Sequence, residues 1–360
     1  MKTVPAVRPE HDASLLDRME SAVAHFMFGR SAATKVKLAG GKPVQIDGNT
    51  LHPDLQLTLF MRKLAGGDGV VREDVATARR HNRRESLLYQ GPAIEVGGVF
   101  DLIVPGTELK ARHYAPATSG SDKRPLLVFF HGGGFVVGDL DTHDAPCRLL
   151  CKHAGVHVLS IDYGRAPESA FPGAVEDAIR AYNVAVELAG ELGADSTRIG
   201  VGGDSAGGNL AAVVAQQTRG GRAPDFAILV YPAVDRSKVY RSQELFAKGF
   251  LLTRDDIAYF DRLYFGDDPE VRRDPRLSPL LHPDLRGLCP TVVITAGFDP
   301  LRDEGAAYAE ALEKAGNQVT LRCERDLIHG FFNMSGTSPA CFAALMRIAE
   351  DVRGRTEKPK

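Results

Sequence analysis

Downstream of residue 92, short apolar runs alternate with longer segments in which apolar residues recur at helical spacing. Runs rich in valine, isoleucine, leucine and phenylalanine are typical of strands buried on both faces. Six such strands are predicted, within "PLLVFFH", "HVLSIDY", "RIGVGG", "FAILVYP", "TVVITAG" and "VTLRC". Helices are predicted between them, including 174–189, 206–217 and 303–315. This alternation predicts an α/β fold with a mostly parallel central sheet flanked by helices.

The rest of the chain departs from this alternation. The runs "IEVGGVFDLIV" and "LKARHYA" predict a pair of antiparallel strands ahead of the parallel ones. Residues 1–91 predict three helices, the first over "HDASLLDRMESAVAHFMF", and residues 233–288 predict two helices without a strand. We therefore expect an α/β domain built from 92–232 and 289–360, an N-terminal helical extension at 1–91, and an insertion above the sheet at 233–288.

A serine lies between glycines where the third predicted parallel strand meets the next helix. The segment "GDSAG", residues 203–207, fits the pattern G-x-S-x-G, in which a serine occupies a tight strand-to-helix turn. The first N–H groups of that helix favour developing negative charge near Ser205. A phosphate-binding loop is the alternative, but the chain lacks G-x-x-x-x-G-K-[ST], and its glycine spacing here breaks G-x-G-x-x-G. Ser205 is therefore a candidate nucleophile.

A serine nucleophile needs a base, a group that orients the base, and donors for the oxyanion. The segment "HGGGF" follows the strand "LLVFF", so the N–H groups of Gly132, Gly133 and Ala206 are the candidate donors. Asp299 follows the strand "TVVITAG", and His329 comes after the last predicted strand. The order Ser, Asp, His is the order found in α/β-hydrolases.

Three other acidic residues, Asp303, Glu304 and Asp326, compete with Asp299 for the role of orienting acid. Asp303 and Glu304 fit the first turn of a helix, where carboxylates complement the helix dipole. Asp299 is therefore the preferred partner of His329.

Together these motifs resemble the hormone-sensitive-lipase-like group of α/β-hydrolases, the bacterial family IV esterases. The resemblance covers about residues 48–350 and depends on "HGGGF", "GDSAGGN", "DPLRDEG" and "IHGF", in that order, with the GDSAG form of the serine motif. It implies an α/β-hydrolase fold whose two helical segments form a cap, and a triad of Ser205, Asp299 and His329. It also implies a serine carboxylesterase for short- to medium-chain acyl esters that needs no metal or cofactor. A homodimer is implied by the resemblance alone.

The same resemblance suggests residues that support the site. His131, Asp204 and Glu168 are expected to hold the triad and the glycine loop in place, and Phe135, Phe250 and Leu252 are expected to line the substrate pocket, with Phe26 folding over it from the cap.

Four residues depart from the family pattern. Gly164 and Arg165 lie in "DYGRAPE", where they are expected to alter the support beneath the glycine loop. Glu324 and Asp326 precede His329, and Asp326 is a candidate second carboxylate near that histidine.

Composition and charge exclude several other classes of protein. A net charge of −2 argues against nucleic acid as a partner. No apolar run reaches the roughly 18 residues of a membrane helix, and the start of the chain lacks the apolar core of a signal peptide, so we expect a cytoplasmic protein. Five cysteines in apolar surroundings indicate reduced thiols.

Two clusters of polar residues each allow two interpretations. Cys147, Cys151, His153 and His157 have the chemistry of a metal site, but a helix that runs into a buried strand favours core packing. Arg79, Arg80, Arg83 and Arg84 suit an anionic ligand, but a solvated face balanced by Glu73, Asp74 and Glu85 is favoured.

The sequence leaves other functions open on the same scaffold. An amidase, a lactonase or a thioesterase would use the same triad, so only a panel of substrates separates these activities. A non-catalytic ligand-binding homologue is disfavoured, because such proteins can lose the histidine and His329 is present.

Overall fold

The computed structural model describes residues 4–5, 28–71, 74–117 and 123–356. The predicted pocket residue Phe26 and almost all of the first predicted helix lie outside the described residues. Within them, a nine-stranded sheet forms the centre of the molecule, and a separate two-stranded ribbon accompanies it.

The strands confirm the predicted mostly parallel sheet. They are β1 (Val4–Pro5), β2 (Gln45–Ile46), β3 (Asn49–Thr50), β4 (Gly98–Ile103), β5 (Lys110–Ala115), β6 (Arg124–Phe130), β7 (His157–Asp162), β8 (Ala194–Asp204), β9 (Phe226–Val230), β10 (Thr291–Phe298) and β11 (Val319–Ile328). The ribbon is β2-β3, and the sheet order is β1-β4-β5-β7-β6-β8-β9-β10-β11. All pairings from β7 to β11 in this order are parallel. The pairings of β1 with β4, β4 with β5, and β5 with β7 are antiparallel, as the sequence predicted for the β4-β5 pair.

The helices in the described part of the chain cover both faces and the upper edge of the sheet. They are α1 (Ala32–Leu38), α2 (Pro53–Leu64), α3 (Val75–Gln90), α4 (Asp144–Leu150), α5 (Gly173–Leu188), α6 (Ala206–Gln217), α7 (Arg241–Leu245), α8 (Arg254–Tyr264), α9 (Arg302–Lys314) and α10 (Pro339–Thr356). Of these, α7 and α8 fall within 233–288, where the sequence predicted two helices and no strand.

The side chains of each strand alternate between the two faces of the sheet, and this divides the core into two halves. On β6, Val128 and Phe130 belong to one hydrophobic cluster, whereas Leu127 and Phe129 belong to the cluster on the opposite face. Successive side chains of a strand point to opposite faces, so a run of apolar residues buries both. This explains why the parallel strands are continuous apolar runs in the sequence.

Parallel strands end at one edge, and this edge carries the residues that the sequence singled out. The glycine loop follows β6, Ser205 follows β8, Asp299 follows β10 and His329 follows β11. The crevice at the carboxyl ends of the strands is where open α/β sheets bind ligands. The topology thus brings one loop and three residues that are far apart in sequence to one place.

Two of the four arginines of α3 depart from the solvated face that was predicted, whereas Arg80 and Arg84 are exposed. Arg79 pairs with Glu168, and Arg83 pairs with Asp139 and Asp141, so both join α3 to loops of the α/β domain. This pairing could not be seen locally, because these partners lie at least 56 residues away in the sequence.

The predicted balancing acids have other roles. Asp74 caps α3 by accepting a hydrogen bond from the backbone N–H of Thr77, and Glu85 pairs with Arg62. Glu73 lies outside the described residues.

The cysteine and histidine residues near α4 pack in the core. Cys147 and Cys151 are buried thiols, and His157 stacks on His113 with ring centroids 5.1 Å apart. Among the described residues, no group of three or more His, Cys, Asp or Glu side chains is arranged to hold a metal ion. The same part of the chain contains no helix with the length and apolarity needed to cross a bilayer.

The buried histidine pair predicts a loss of stability in acid. Burial lowers the pKa of both His113 and His157 to about 4, from an ordinary value of 6.5. The folded protein therefore binds fewer protons than the unfolded chain between these values. The pair's stabilising contribution is complete above about pH 6.5 and is lost as the pH falls toward 4.

Urea unfolding at pH 7 and pH 5 tests this expectation. The double variant His113→Gln, His157→Gln keeps polar side chains without a titrating ring, so its unfolding free energy should fall less between these pH values than that of the wild type. Equal losses in the two proteins would show that the pair is not responsible.

Candidate active site

Ser205 occupies a strained turn between β8 and α6. Its backbone angles are φ 54° and ψ −117°, a region that residues with side chains rarely adopt. A Cβ at Gly203 would overlap the carbonyl oxygen of Gly207, and a Cβ at Gly207 would overlap that of Phe130. Glycine is therefore required on both sides of the turn, as the G-x-S-x-G pattern predicted.

The three predicted triad residues form one hydrogen-bonded chain. His329 Nε2 lies 3.0 Å from Ser205 Oγ, and His329 Nδ1 lies 2.9 Å from Asp299 Oδ2. Asp299 is fully buried, and its other oxygen accepts the N–H of Leu301 at 2.7 Å. Because Nδ1 faces a carboxylate, the ring proton resides there and leaves Nε2 free to accept the serine hydroxyl proton.

The competing acids have other contacts. Asp303 and Glu304 lie in the first turn of α9, as predicted, and accept hydrogen bonds from the backbone N–H groups of Ser242 and Val234. The carboxylate that His329 contacts is that of Asp299, not that of Asp326. Among the departures from the family pattern, Glu324 pairs with arginines at the edge of the sheet.

One predicted oxyanion donor needs correction. The N–H of Gly132 donates to Asp204 Oδ1 at 2.9 Å, so it points away from Ser205 and is already used. In contrast, the N–H groups of Gly133, Gly134 and Ala206 meet no acceptor from the described residues, and all three residues line the cavity in front of Ser205. The φ values of Gly133 and Gly134 are 125° and 59°. Positive angles of this kind are ones that glycine adopts readily.

Asp204 anchors this loop from below. Its carboxylate accepts the N–H of Gly132, lies 3.1 Å from His143 Nε2 and accepts the hydroxyl of Tyr231 at 3.3 Å. Burial alone raises the pKa of this carboxyl group, but His143 and the N–H of Gly132 lower the pKa by more, so Asp204 stays ionised. The hydrogen bond from the N–H of Gly132 is the contact through which Asp204 supports the glycine loop, as predicted.

His131 also braces the loop. Its Nδ1 lies 2.8 Å from the carbonyl oxygen of Gly132, and its ring stacks on Tyr163 at 4.3 Å. Tyr163 in turn donates its hydroxyl to the carbonyl oxygen of His131 at 2.7 Å. Burial lowers the pKa of His131 to about 3, so the ring is neutral and acts through its packing and one hydrogen bond.

Glu168 contributes indirectly. Its carboxylate is largely exposed and binds the guanidinium of Arg79. Arg79 also donates to the carbonyl oxygens of Val136 and Ala166, both at 2.8 Å, so it clamps the turn that follows the three glycines. Glu168 therefore acts on the glycine loop only through Arg79, whereas a direct contact was expected.

Gly164 and Arg165, which depart from the family pattern, lie in the segment that supports the glycine loop. Arg165 donates to the carbonyl oxygen of Gly138 at the end of the loop. A Cβ at Gly164 would crowd Ser169 and Asp177, and its N–H donates to Asp177 at 3.0 Å. Arg165 thus contacts the glycine loop directly.

A cavity of about 120 Å³ opens in front of Ser205. Two of the predicted pocket residues, Phe135 and Leu252, line it, together with Ile257 and Phe260 of α8. The third, Phe250, does not, because its ring packs behind the wall against Phe246 and Phe298. The expectation for Phe250 is therefore wrong.

Sequence reasoning missed several polar residues of this cavity. Residues Asn82, Glu85, Ser86 and Tyr89 of α3, His143, Arg236, Asp261 and Asn333 all contribute to its lining. The four from α3 recur at helical spacing on one face, which is the one signal the sequence carried. Arg236 and Asp261 had no local signal, since neither belongs to a recognisable motif.

A serine, histidine and aspartate linked in this way at the carboxyl edge of a parallel sheet define a serine hydrolase built on the α/β-hydrolase fold. Comparison with known families gives the same answer. Residues 127–333 match the family model described as "alpha/beta hydrolase fold", and the chain belongs to this family.

Characterised relatives extend over most of the chain. The chain is 51% identical over 307 residues to the carboxylic ester hydrolase LipN of Mycobacterium tuberculosis (strain ATCC 25618 / H37Rv), covering 82% of this chain and 81% of LipN. It is 35% identical over 316 residues to the ethyl acetate hydrolase of Pseudomonas putida, covering 84% and 98%. Among solved structures, the hyperthermophilic esterase from Pyrobaculum calidifontis is 37% identical with a TM-score of 0.79, covering 84% of this chain and 98% of the esterase.

Asp204→Asn should weaken transition-state binding more than substrate binding. The change keeps the size of the side chain but removes the charge that holds His143 and the N–H of Gly132. We expect kcat to fall on the order of tenfold to a hundredfold with KM little changed, measured by steady-state hydrolysis of p-nitrophenyl butyrate. Tyr231→Phe leaves the charge of Asp204 in place and removes its 3.3 Å contact with the Tyr231 hydroxyl, so it should cost less. Full kcat in a folded Asp204→Asn protein would contradict this role for Asp204.

Proposed function

We propose that this carboxylic ester hydrolase cleaves short- to medium-chain acyl esters through an acyl-enzyme formed on Ser205. The observation that carries the proposal is the continuous chain from Ser205 Oγ through His329 to Asp299, with separations of 3.0 and 2.9 Å, at the floor of a cavity. In this proposal His329 is the general base and then the general acid, and Asp299 orients it.

The first half of the cycle forms the acyl-enzyme. His329 Nε2 takes the proton of Ser205 as Oγ attacks the ester carbonyl carbon, and Asp299 stabilises the imidazolium that results. Collapse of the tetrahedral intermediate breaks the bond to the alcohol oxygen, which leaves with the proton from His329. The second half repeats these steps with water as the nucleophile and releases the acid. Each step uses only protons and groups of the chain, so the cycle requires no metal or cofactor.

We assign the oxyanion hole to the N–H groups of Gly133, Gly134 and Ala206. They line the same cavity as Ser205 and lack acceptors within the described residues. Donors that are already in place need no reorganisation when charge develops on the carbonyl oxygen, which makes this a large contribution to catalysis.

We also propose that the helical segments at 1–91 and 233–288 act as a cap over the α/β domain formed by 92–232 and 289–360. Side chains from α3 and from α8 complete the cavity wall opposite Ser205, which supports this division.

The cavity favours short acyl groups. Its volume of about 120 Å³ is somewhat smaller than the roughly 150 Å³ cavity that accommodates one benzene molecule. Phe135 and Leu252 line it, and the ring of Phe260 lies against Gly134 of the glycine loop. An acyl chain of a few carbons fits without displacing these side chains.

Two further expectations are kept as predictions. The five cysteines all lie in the described residues as free thiols, which supports a reducing, cytoplasmic location. The homodimer remains a prediction from the resemblance.

Replacing the nucleophile tests the mechanism. Ser205→Ala should lower kcat for p-nitrophenyl butyrate by at least about 10⁴-fold, because no other group can form the acyl-enzyme. Thermal unfolding of the variant should match that of the wild type, which separates loss of chemistry from loss of fold. Substantial hydrolysis by the folded variant would overturn the assignment of Ser205. A parallel panel of amides, lactones and thioesters shows whether esters are the preferred substrates.

A series of p-nitrophenyl esters tests the acyl preference. We expect kcat/KM to be highest between acetyl and hexanoyl and to fall at least about tenfold by dodecanoyl, since longer chains exceed the cavity. Leu252→Ala enlarges the cavity and should move the optimum to longer chains. A wild-type optimum at dodecanoyl would contradict the short-chain assignment.

A further inference from the structure

The active-site cavity contains a buried charged residue that the proposed mechanism does not use. Arg236 lies in the loop after β9 and lines the cavity together with Asp261 of α8. Its side chain is only 11% exposed. Its backbone N–H is bonded to Ser278 Oγ at 2.8 Å, which fixes the start of the side chain.

The guanidinium group of Arg236 has ionic neighbours but makes no hydrogen bond to the residues that the structure describes. Its Nε lies 3.6 Å from Asp261 Oδ1, and its Nη1 lies 3.8 Å from Glu304 Oε2. Both separations are longer than a hydrogen bond. Nη1 is buried, and no acceptor in the described part of the chain satisfies it. Because Arg236 lines the cavity, an acceptor on a bound ligand can meet guanidinium donors that the described residues leave without one.

The neighbouring acids decide which kind of acceptor fits. Asp261 also accepts a hydrogen bond from Arg272 at 3.4 Å, and Glu304 accepts one from the backbone N–H of Val234 at 2.8 Å. Asp261 and Glu304 are ionic neighbours of the guanidinium, and Asp235 also acts on its charge, so three carboxyl groups already surround Arg236. A substrate carboxylate would add a fourth, whereas a neutral oxygen accepts the hydrogen bonds without adding charge.

We propose that Arg236 is a specificity-determining residue that donates hydrogen bonds to a second, neutral oxygen of the ester substrate. This oxygen would be a ketone or ether oxygen in whichever chain of the ester, acyl or alcohol, reaches this part of the cavity. The inference rests on the proposed function, because it assigns the substrate class of the same site. It predicts that oxygenated esters are better substrates than plain alkyl esters of equal chain length.

Matched substrates test this in the unmodified enzyme. On the acyl side, p-nitrophenyl levulinate is compared with p-nitrophenyl valerate; on the alcohol side, methoxyethyl acetate is compared with butyl acetate. Each rate is divided by the rate of hydroxide-catalysed hydrolysis of the same ester, which removes differences in intrinsic reactivity. We expect at least one oxygenated ester to be preferred in kcat/KM on the order of tenfold or more.

Variants then locate the effect. Arg236→Met keeps the length of the side chain without its donors and should abolish the preference. Arg236→Lys keeps the charge but loses the planar pair of donors, so it should retain only part of the preference. Arg272→Met is the matched control, because it also removes an arginine partner of Asp261 but does not line the cavity. It should leave the preference intact. Ratios within one protein do not depend on how much of a variant folds.

The outcomes are distinct. A preference in the wild type that disappears in Arg236→Met and persists in Arg272→Met supports the proposal. Equal corrected rates for both members of each pair, or a preference that survives in Arg236→Met, overturn it. A preference for the p-nitrophenyl monoester of glutaric acid over the levulinate also overturns it, because the acceptor would then be anionic. If none of these esters, oxygenated or plain, is hydrolysed, the proposed function fails instead.

Discussion

The end of β6 runs so close to the first turn of α6 that no side chain fits between them. A Cβ at Gly207 would overlap the carbonyl oxygens of Phe130 and His131, so the contact exists only because residue 207 is glycine. It places the glycine loop beside the turn that exposes Ser205 and brings Gly132 within reach of Asp204. The position of Ser205 relative to the glycine loop therefore depends on one steric condition.

Around that contact, some polar groups have hydrogen-bond partners, whereas others have none among the described residues. Asp204 is satisfied by three neighbours, and Asp299 by His329 and a backbone N–H. The unbonded donors described above, on the glycine loop, at the start of α6 and on Arg236, all belong to the cavity lining. A folded chain rarely leaves buried donors without acceptors, and donors that line a cavity can find their acceptors on a bound ligand. The cavity is thus preorganised for oxygen atoms at two separate points.

Ion pairs and charged hydrogen bonds hold the helical segments above the sheet to the α/β domain. Arg79 and Arg83 reach from α3 to loops near the site. Asp256 of α8 joins the two helical segments to each other by accepting the backbone N–H groups of Val70 and Val71. Arg236 lies between Asp261 of α8 and Glu304 of α9. Of these charged groups, Arg236 and Asp261 also line the cavity.

The sequence by itself determined the sheet, the strained serine turn and the triad. Strand periodicity is local, and parallel strands bring their carboxyl ends together, so Ser205, Asp299 and His329 could be found from motif and order alone. Only the tertiary structure decided that Gly132 is bonded to Asp204, that Phe250 packs behind the cavity wall and that Arg236 lines it. The direction of an N–H group depends on backbone angles, and a side chain's partners depend on elements distant in sequence, so neither is encoded in local spacing.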